Sequence, residues 1–330
     1  MTESMRADDP QRGSTHSNPD DASLIKAGLT IDPVTVSASL ERFIRDQVES
    51  FQREGAILGM SGGIDSAVVA SLAVRALGPQ KVHALLLPER DSNPASKTDA
   101  MLEIERLGIS HREIKMAPML EPLGVYKLLP LRILGTRGIK AAVVKSQHSL
   151  QVKALGEMPF RAGLLGTRDL GERKAIIESG NAYARVKHRM RMLTLYYHAD
   201  MKNLLVLGTT NKSESMSGFV VKWGDNVADI EPILPLYKTQ VRQLARHLSV
   251  SERIISKPPT PDLIPGIDDE MALGLEYRLL DEILWGMEQG WSEERSAAAS
   301  QASPEQVRHA REMWKRSTHL RAMPPAPDLG

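Results

Sequence analysis

The chain has 330 residues, 42 Lys and Arg against 41 Asp and Glu, and no cysteine. Without cysteine there is no disulfide, no thiolate metal site, no iron–sulfur cluster and no cysteine nucleophile in this polypeptide. A net charge of +1 and only 4 Phe, 6 Tyr and 4 Trp argue against nucleic acid as a partner, and no apolar run reaches the roughly 18 residues of a membrane span.

Residues 1–22 are rich in Asp, Ser, Pro and Gly and have little to bury, which predicts a disordered tail. They lack the apolar core of a secretion signal, so a cytoplasmic protein is expected. Folding is expected to begin near Leu24. Residues 37–53 place Leu40, Phe43, Ile44 and Val48 at helical spacing. A short apolar strand follows at 56–60, then a helix over 66–77 with Val68, Val69, Leu72 and Ala73 inward. The pattern continues with a strand at 81–87, a helix at 98–107, a short strand at 112–116, a strand at 203–207 and a helix at 237–247. Strands alternating with helices predict a parallel sheet covered on both faces, a Rossmann-like doubly wound α/β fold. Between 120 and 178 the pattern weakens and reads as an insertion. Residues 268–290 read as helical, and Ser303-Pro304-Glu305 opens a helix to about Arg316 within a C-terminal helical extension over 291–330. The whole of 23–330 is read as one domain.

The most informative segment is Gly59-Met60-Ser61-Gly62-Gly63-Ile64-Asp65-Ser66, where an apolar strand runs through two glycines straight into a helix. Glycines let the backbone approach a ligand closely, free N–H groups at the helix start form an anion site, and Ser61 and Ser66 add hydroxyls. Asp65 would repel a phosphate unless a divalent cation lies between them, so it points to Mg²⁺. The plainer reading is a Gly-Gly turn with an Asp helix cap. The segment is neither a Walker A loop nor a dinucleotide G-x-G-x-x-G.

Ser-Gly-Gly-Ile-Asp-Ser resembles the PP-loop of the N-type ATP pyrophosphatases, which split ATP between its α- and β-phosphates. Further motifs select within that family. Gly208-Thr209-Thr210-Asn211-Lys212-Ser213-Glu214, Gly218-Phe219, Lys222-Trp223-Gly224-Asp225, Ala228-Asp229 and Leu236-Tyr237-Lys238-Thr239-Gln240-Val241 resemble the signature of the NAD synthases. Lys257-Pro258-Pro259-Thr260-Pro261-Asp262-Leu263, Asp269-Glu270-x-x-Leu273-Gly274 and Gly180-Asn181-x-x-Ala184-Arg185, the last expected just before a helix, follow the same resemblance in the same order.

The resemblance implies an ammonia-dependent ligase that amidates nicotinic acid adenine dinucleotide to NAD through an acyl-adenylate, releasing AMP and pyrophosphate. It implies ATP bound by Gly59, Ser61, Gly62, Gly63, Asp65, Ser66, Thr209, Lys238 and Thr260. Mg²⁺ would be held by Asp65 and Glu214, although a lone Glu early in a helix also reads as a dipole-compensating surface carboxylate. Asn181, Arg185, Phe219, Lys222, Asp225 and Asp229 would bind the deamido dinucleotide, with Asp225, Lys238 and Asp65 catalytic. Asp225 in a turn reads equally as an Asx cap. The basic run Arg185, Lys187, His188, Arg189 and Arg191 divides between helix faces, and His188 and His83 have no metal-ligand spacing. Residues 258–266 are the candidate cover that excludes water. A homodimer is implied.

Glutamine-dependent relatives carry an amidase domain with a cysteine nucleophile. This chain is expected to take its nitrogen as ammonia, free or from a separate glutaminase. Thr210 stands where smaller or acidic residues are common, and Leu320 replaces a lysine of the family's C-terminal S-x-H-K-R stretch. These departures leave open a PP-loop paralogue that amidates another carboxylate in a specialised pathway.

Overall fold

The computed structural model describes residues 19–128, 137–155, 159–160, 164, 174–260 and 266–327. Among them, β1 (Gly55–Gly59), β2 (Val82–Leu86), β3 (Ser110–Glu113) and β4 (Leu204–Val206) form a parallel sheet in the order β3-β2-β1-β4. Ala56 stands opposite Val82 on one side and Leu205 on the other. A strand buried on both faces has no solvent side, so β1 reads as a continuous apolar run, Ala56-Ile57-Leu58, with no residue of it exposed.

The edge strand β3 is the one the sequence pattern misplaces. It is exposed throughout and its Ser-His-Arg-Glu sequence is polar, as suits the end of a sheet. Ile114 and Met116, which pointed to a strand at 112–116, instead donate their N–H groups to the carbonyls of Leu86 and Pro88 as the chain leaves the sheet.

Helices α1 (Pro19–Leu29), α2 (Pro33–Ser50), α3 (Ile64–Leu77) and α4 (Pro94–Leu107) precede or alternate with the first strands. One face of the sheet is covered by α2, α3, α4 and the helix Lys238–His247, whose Ile44, Val48, Val68, Leu72, Ile104 and Leu244 pack with Ala56 and Leu58. The helix Lys174–Lys202 covers the other, bringing Tyr183 and Ala199 against Ile57, Leu85 and Val206. The fold is therefore α/β, with a doubly covered parallel sheet.

A second core unites α1 with the C-terminal helices Tyr277–Glu288, Glu293–Ser300 and Pro304–Arg316, around Ile25, Leu280, Ile283, Leu284, Trp291 and Val307. This moves the start of structure ahead of the expected tail boundary. α1 begins at Pro19, and buried Asp21 accepts two hydrogen bonds from Arg295, at 2.7 and 3.1 Å. Pro-Asp-Asp, compositionally tail-like, is here a proline at the helix start followed by first-turn acids. Residues 1–18 lie outside the described residues, as does much of 120–178.

Two helix boundaries also differ. The expected helix over 268–290 is split into Asp269–Leu273 and Tyr277–Glu288 by Gly274, whose φ of 72° is left-handed. The segment Gly180-Asn181, expected before a helix, lies inside the 29-residue helix Lys174–Lys202. Among the described residues a Cβ at Gly180 would touch nothing, and the helix runs through this glycine without a break. Ser303 caps its helix as the sequence predicts, with Pro304 in the first turn and a capping box to Gln306.

Candidate active site

The carboxyl ends of β1, β2 and β4 open into a cavity of about 280 Å³. In a parallel α/β sheet this is where ligands bind, because the helix N-termini and the adaptable loops are at that end. The loop after β1 lines it with Gly59, Ser61, Gly63, Asp65 and Ser66. Gly62 has φ +75°, and a Cβ there would lie 2.0 Å from the Ser96 carbonyl oxygen. The loop is internally braced: Ser66 Oγ donates to Gly63 O at 3.0 Å, and the Ser61 hydroxyl accepts from Gly63 N–H at 3.2 Å. Lys257 braces it from outside, donating to Asp99 Oδ2 at 2.9 Å and Ser96 Oγ at 3.3 Å, with Gly62 O at 3.5 Å.

Asp65, in the first turn of α3, faces the helix Lys212–Ser217. Asn211 caps that helix. Its Oδ1 accepts from Glu214 N–H at 3.0 Å, Glu214 Oε2 accepts from Asn211 N–H at 3.3 Å, and Asn211 Nδ2 donates to Asp65 Oδ1 at 3.1 Å. Lys238 closes the group. Its ammonium donates to Asp65 Oδ2 at 2.6 Å and to Glu214 Oε1 at 3.0 Å, and the residue is 1% exposed. Burial alone would lower Lys238, but Asp65, Glu214 and Asp269 outweigh it and hold the ammonium above the usual lysine range. Burial pushes the Glu214 carboxyl up to about 8 against the pull of Lys238, with Asp65 and Asp269 adding repulsion.

Lys238 is placed by its own backbone. Its N–H donates to Ser213 Oγ at 2.8 Å, the Ser213 hydroxyl donates to Asp281, and Asp281 also accepts from Thr239 N–H at 2.8 Å. Asp281 is fully buried, and burial pushes its carboxyl up to about 6. Asp269 is a further carboxylate lining the cavity. It is 5% exposed, Oδ2 accepts from the Tyr277 hydroxyl at 3.1 Å, and Oδ1 has no hydrogen-bond partner among the described residues. Burial pushes it up to about 6, against the attraction of Lys238.

On the opposite wall, Asp225 accepts from Val221 N–H at 2.6 Å and lies 3.3 Å from His188 Nδ1. Burial lowers the His188 imidazole, while Asp225 pulls the other way. Thr209, Phe219 and Thr260 also line the cavity. Thr260 Oγ1 donates to Ile267 O at 3.3 Å, whereas most of the Pro-rich stretch expected as a cover, 261–265, lies outside the described residues.

Four expected substrate residues are not brought to this cavity. The Lys222 ammonium donates to the carbonyls of His319 and Ala322, at 2.6 and 3.2 Å. Asp229 accepts from Val206 N–H at 2.8 Å and from the Tyr196 hydroxyl at 3.2 Å. Asn181 and Arg185 sit further back on the helix Lys174–Lys202, where burial and Arg189 lower the Arg185 guanidinium. Conversely, the sequence alone points to no role for Asn211, Lys257, Asp269 or Glu231, and His188 has no metal-ligand spacing. The signal it does hold for Asn211 is structural: an Asn three residues before a Glu at a helix start is a capping box. Glu231 folds over Gly208, where a Cβ would meet its carboxyl at 2.2 Å, and accepts from Thr210 N–H at 3.0 Å. Burial pushes it up to about 8.

The profile of one protein family, NAD synthase, matches residues 36–126 and 167–324. An NH(3)-dependent NAD(+) synthetase of Thermotoga maritima is 46% identical over 250 residues, 76% of this chain and 86% of that protein. One of Hyperthermus butylicus is 37% identical over 91% of this chain and 92% of its own length. Among solved structures, an NMN synthetase from Francisella tularensis superposes with a TM-score of 0.66 at 27% identity, covering 91% of this chain and all of that one. An NH3-dependent NAD synthetase from Campylobacter jejuni gives 0.60 at 26% identity, covering 90% of this chain and 100% of that one. The match runs through the PP-loop, the Asn211–Glu214 helix start and the Lys238 helix, which all line the cavity, and the chain belongs to the NAD synthase family.

Proposed function

We propose that the chain makes NAD from nicotinic acid adenine dinucleotide, ATP and ammonia. The observation that carries this reading is the convergence of the Ser61–Ser66 loop with Asp65, Glu214 and Lys238 in one cavity. A pyridine carboxylate is a poor electrophile, because its oxide does not leave. Its oxygen attacks the α-phosphorus of ATP, the bond from that phosphorus to the bridging oxygen of the β-phosphate breaks, and pyrophosphate departs. The lone pair of ammonia then attacks the carbonyl carbon of the acyl-adenylate. AMP leaves with the oxygen that attacked phosphorus, the other oxygen stays as the carbonyl, nitrogen loses a proton, and the amide of NAD remains.

The roles assigned to the residues are part of this proposal. Gly59, Ser61, Gly62, Gly63, Ser66, Thr209 and Thr260 form the ATP cradle, with backbone N–H groups at the start of α3 facing the phosphates. Lys238 offsets charge on the departing pyrophosphate. Asp65 and Glu214, two hard carboxylates on either side of one position, fit Mg²⁺ bound together with phosphate oxygens. When bound, Mg²⁺ supplies charge stabilisation of the phosphates. Asp225, at the other wall, is the acid that draws in ammonium and orients ammonia, and Phe219 packs the pyridine side. Lys222 and Asp229, with their charged atoms engaged within the protein, support the turn that carries Asp225. Since the chain has no cysteine, its nitrogen comes as ammonia, free or from a separate glutaminase.

The helix Lys174–Lys202 carries three exposed apolar side chains towards its C-terminal end, Leu193, Tyr197 and Met201. We place a second copy of the chain on these side chains, and assign Asn181 and Arg185 to the far half of the dinucleotide. The nucleotide chemistry fits a cytoplasmic setting. No helix among the described residues is long and apolar enough to cross a membrane.

The test is purified protein with ATP, Mg²⁺, ammonium and the deamido dinucleotide. NAD and AMP should appear in equal amounts. No NAD would overturn the reading. The likeness to an NMN synthetase gives a second reading, in which the substrate is the deamido mononucleotide; amidation of that compound alone would establish it. Equal rates with glutamine would contradict the use of ammonia.

A further inference from the structure

We propose that Asp269 is a third carboxylate of the divalent-cation site, and that the cation takes its place by displacing the Lys238 ammonium from between Asp65 and Glu214. The proposal rests on reading the cavity as a site for ATP with its metal. Lys238 Nζ lies 2.6 Å from Asp65 Oδ2 and 3.0 Å from Glu214 Oε1. Mg²⁺ needs its oxygen ligands at roughly 2.0–2.1 Å. A metal reaching the same two oxygens would stand almost on the ammonium and repel it. The two cations therefore exclude each other, and Lys238, being 1% exposed, has no solvent into which to retreat. Its available new partner is an anion inside the cavity, the role that a nucleotide phosphate fills.

Asp269 makes the site larger than the pair of acids. Its carboxylate is 5% exposed, lines the same cavity, and has one oxygen with no partner among the described residues. An unpaired buried acceptor of this kind is costly, so a ligand that satisfies it is favoured. The group is also fixed in place. The Tyr277 hydroxyl holds Oδ2, the Asp269 N–H donates to Pro259 O at 3.0 Å, and the Tyr277 ring lies 5.0 Å from Lys238 Nζ. Three acids thus surround one lysine. Among the described residues no three metal-binding groups stand at ligand spacing, so the third carboxylate must close on the cation as the ammonium leaves. One consequence is that the free protein binds divalent cations weakly, and that ATP and metal bind with mutual enhancement.

The test uses the full chain without nucleotide and Mn²⁺ alone, with free Mn²⁺ read by electron paramagnetic resonance. Lys238→Met should tighten Mn²⁺ binding about tenfold, and adding Asp269→Asn should lose most of that gain. A change of less than about threefold in the first step overturns the displacement, and less than about threefold in the second removes Asp269 from the site. Lys238→Gln serves if the methionine variant melts early. The readout involves no turnover, so it stands apart from the NAD assay: failure of Mn²⁺ binding to respond, in a protein that makes NAD, sinks this inference alone.

Discussion

Lys187 and Glu89 form an ion pair, Nζ to Oε1 at 2.9 Å, that ties the helix Lys174–Lys202 to the segment leaving β2. Both residues are buried, and the pair sits in a polar cluster with Asp91, Tyr183 and Tyr126. Burial pulls the Lys187 ammonium down to about 8, against the attraction of Glu89 and Asp91. The next residue on the helix, His188, lines the cavity, so this pair sets where the Asp225 wall stands.

Removing one partner of a buried pair leaves the other charge uncompensated. Lys187→Met should destabilise the fold by about 3–5 kcal/mol in urea unfolding. Lys187→Met combined with Glu89→Leu should recover most of that loss, because the buried carboxylate is gone as well. A double variant as unstable as the single one would show that the contact is not the source of the cost.

Gly62 and Gly63 stand side by side in the loop and should respond oppositely to alanine. At Gly62, positive φ and the Ser96 carbonyl 2.0 Å from the added Cβ force the backbone to move. Gly62→Ala should cost about 1–3 kcal/mol and raise the KM for ATP at least severalfold. Gly63 has φ −100°, and among the described residues its added Cβ would meet only the Ser61 hydroxyl, at 3.2 Å. Gly63→Ala should melt within a few degrees of the parent, and thermal melting with ATP titration separates the two.

Glu231 makes a pH prediction. Its folded pKa, about 8, is raised from 4.5 by burial first, with Asp225 and Glu214 adding to it against the Thr210 hydrogen bonds. The folded state therefore keeps a proton that the unfolded chain releases. The contribution of this group is fully present below pH 4.5 and is lost as pH rises through about 8. Glu231→Gln copies the protonated acid and still accepts from Thr210 N–H. The variant should match the parent near pH 5 and exceed it by roughly 3–5 kcal/mol at alkaline pH. Parallel stability curves for the two proteins across that range would refute the assignment.

What the sequence makes legible here is what lies close along the chain. Ser61 to Ser66 is contiguous, and Asn211 and Glu214 are one helical turn apart, so strand, turn, cap and helix are visible together. β1, β2 and β4 are apolar runs because they are buried on both faces, whereas exposed β3 carries no such pattern. The fit of Lys238 between Asp65 and Glu214 joins residues 173 and 24 positions away. Nothing in local spacing distinguishes such a lysine from a solvated one. Lys187 shows the same limit: helical spacing pairs it with Arg191, and only the arrival of Glu89 from 98 residues away buries it. Lys222 and Asp229 match family motifs, yet the motif does not say whether a charge faces a ligand or holds a turn.

Asp225 illustrates that last distinction and allows it to be measured. Oδ1 accepts from Val221 N–H at 2.6 Å, a contact within the turn, while Oδ2 faces His188 at 3.3 Å. Asp225→Asn keeps an oxygen for Val221 and removes the charge. Asp225→Ala removes both. If the charge recruits ammonium, the Asn variant should show a KM for ammonium about tenfold higher or more, with the KM for ATP and the melting temperature little changed. The Ala variant should add a loss of stability of about 1 kcal/mol, the typical cost of a missing cap in a turn. An Asn variant with parental kinetics beside a crippled Ala variant would show Asp225 to be a turn residue only. The anionic attraction would then have to come from elsewhere in the cavity wall.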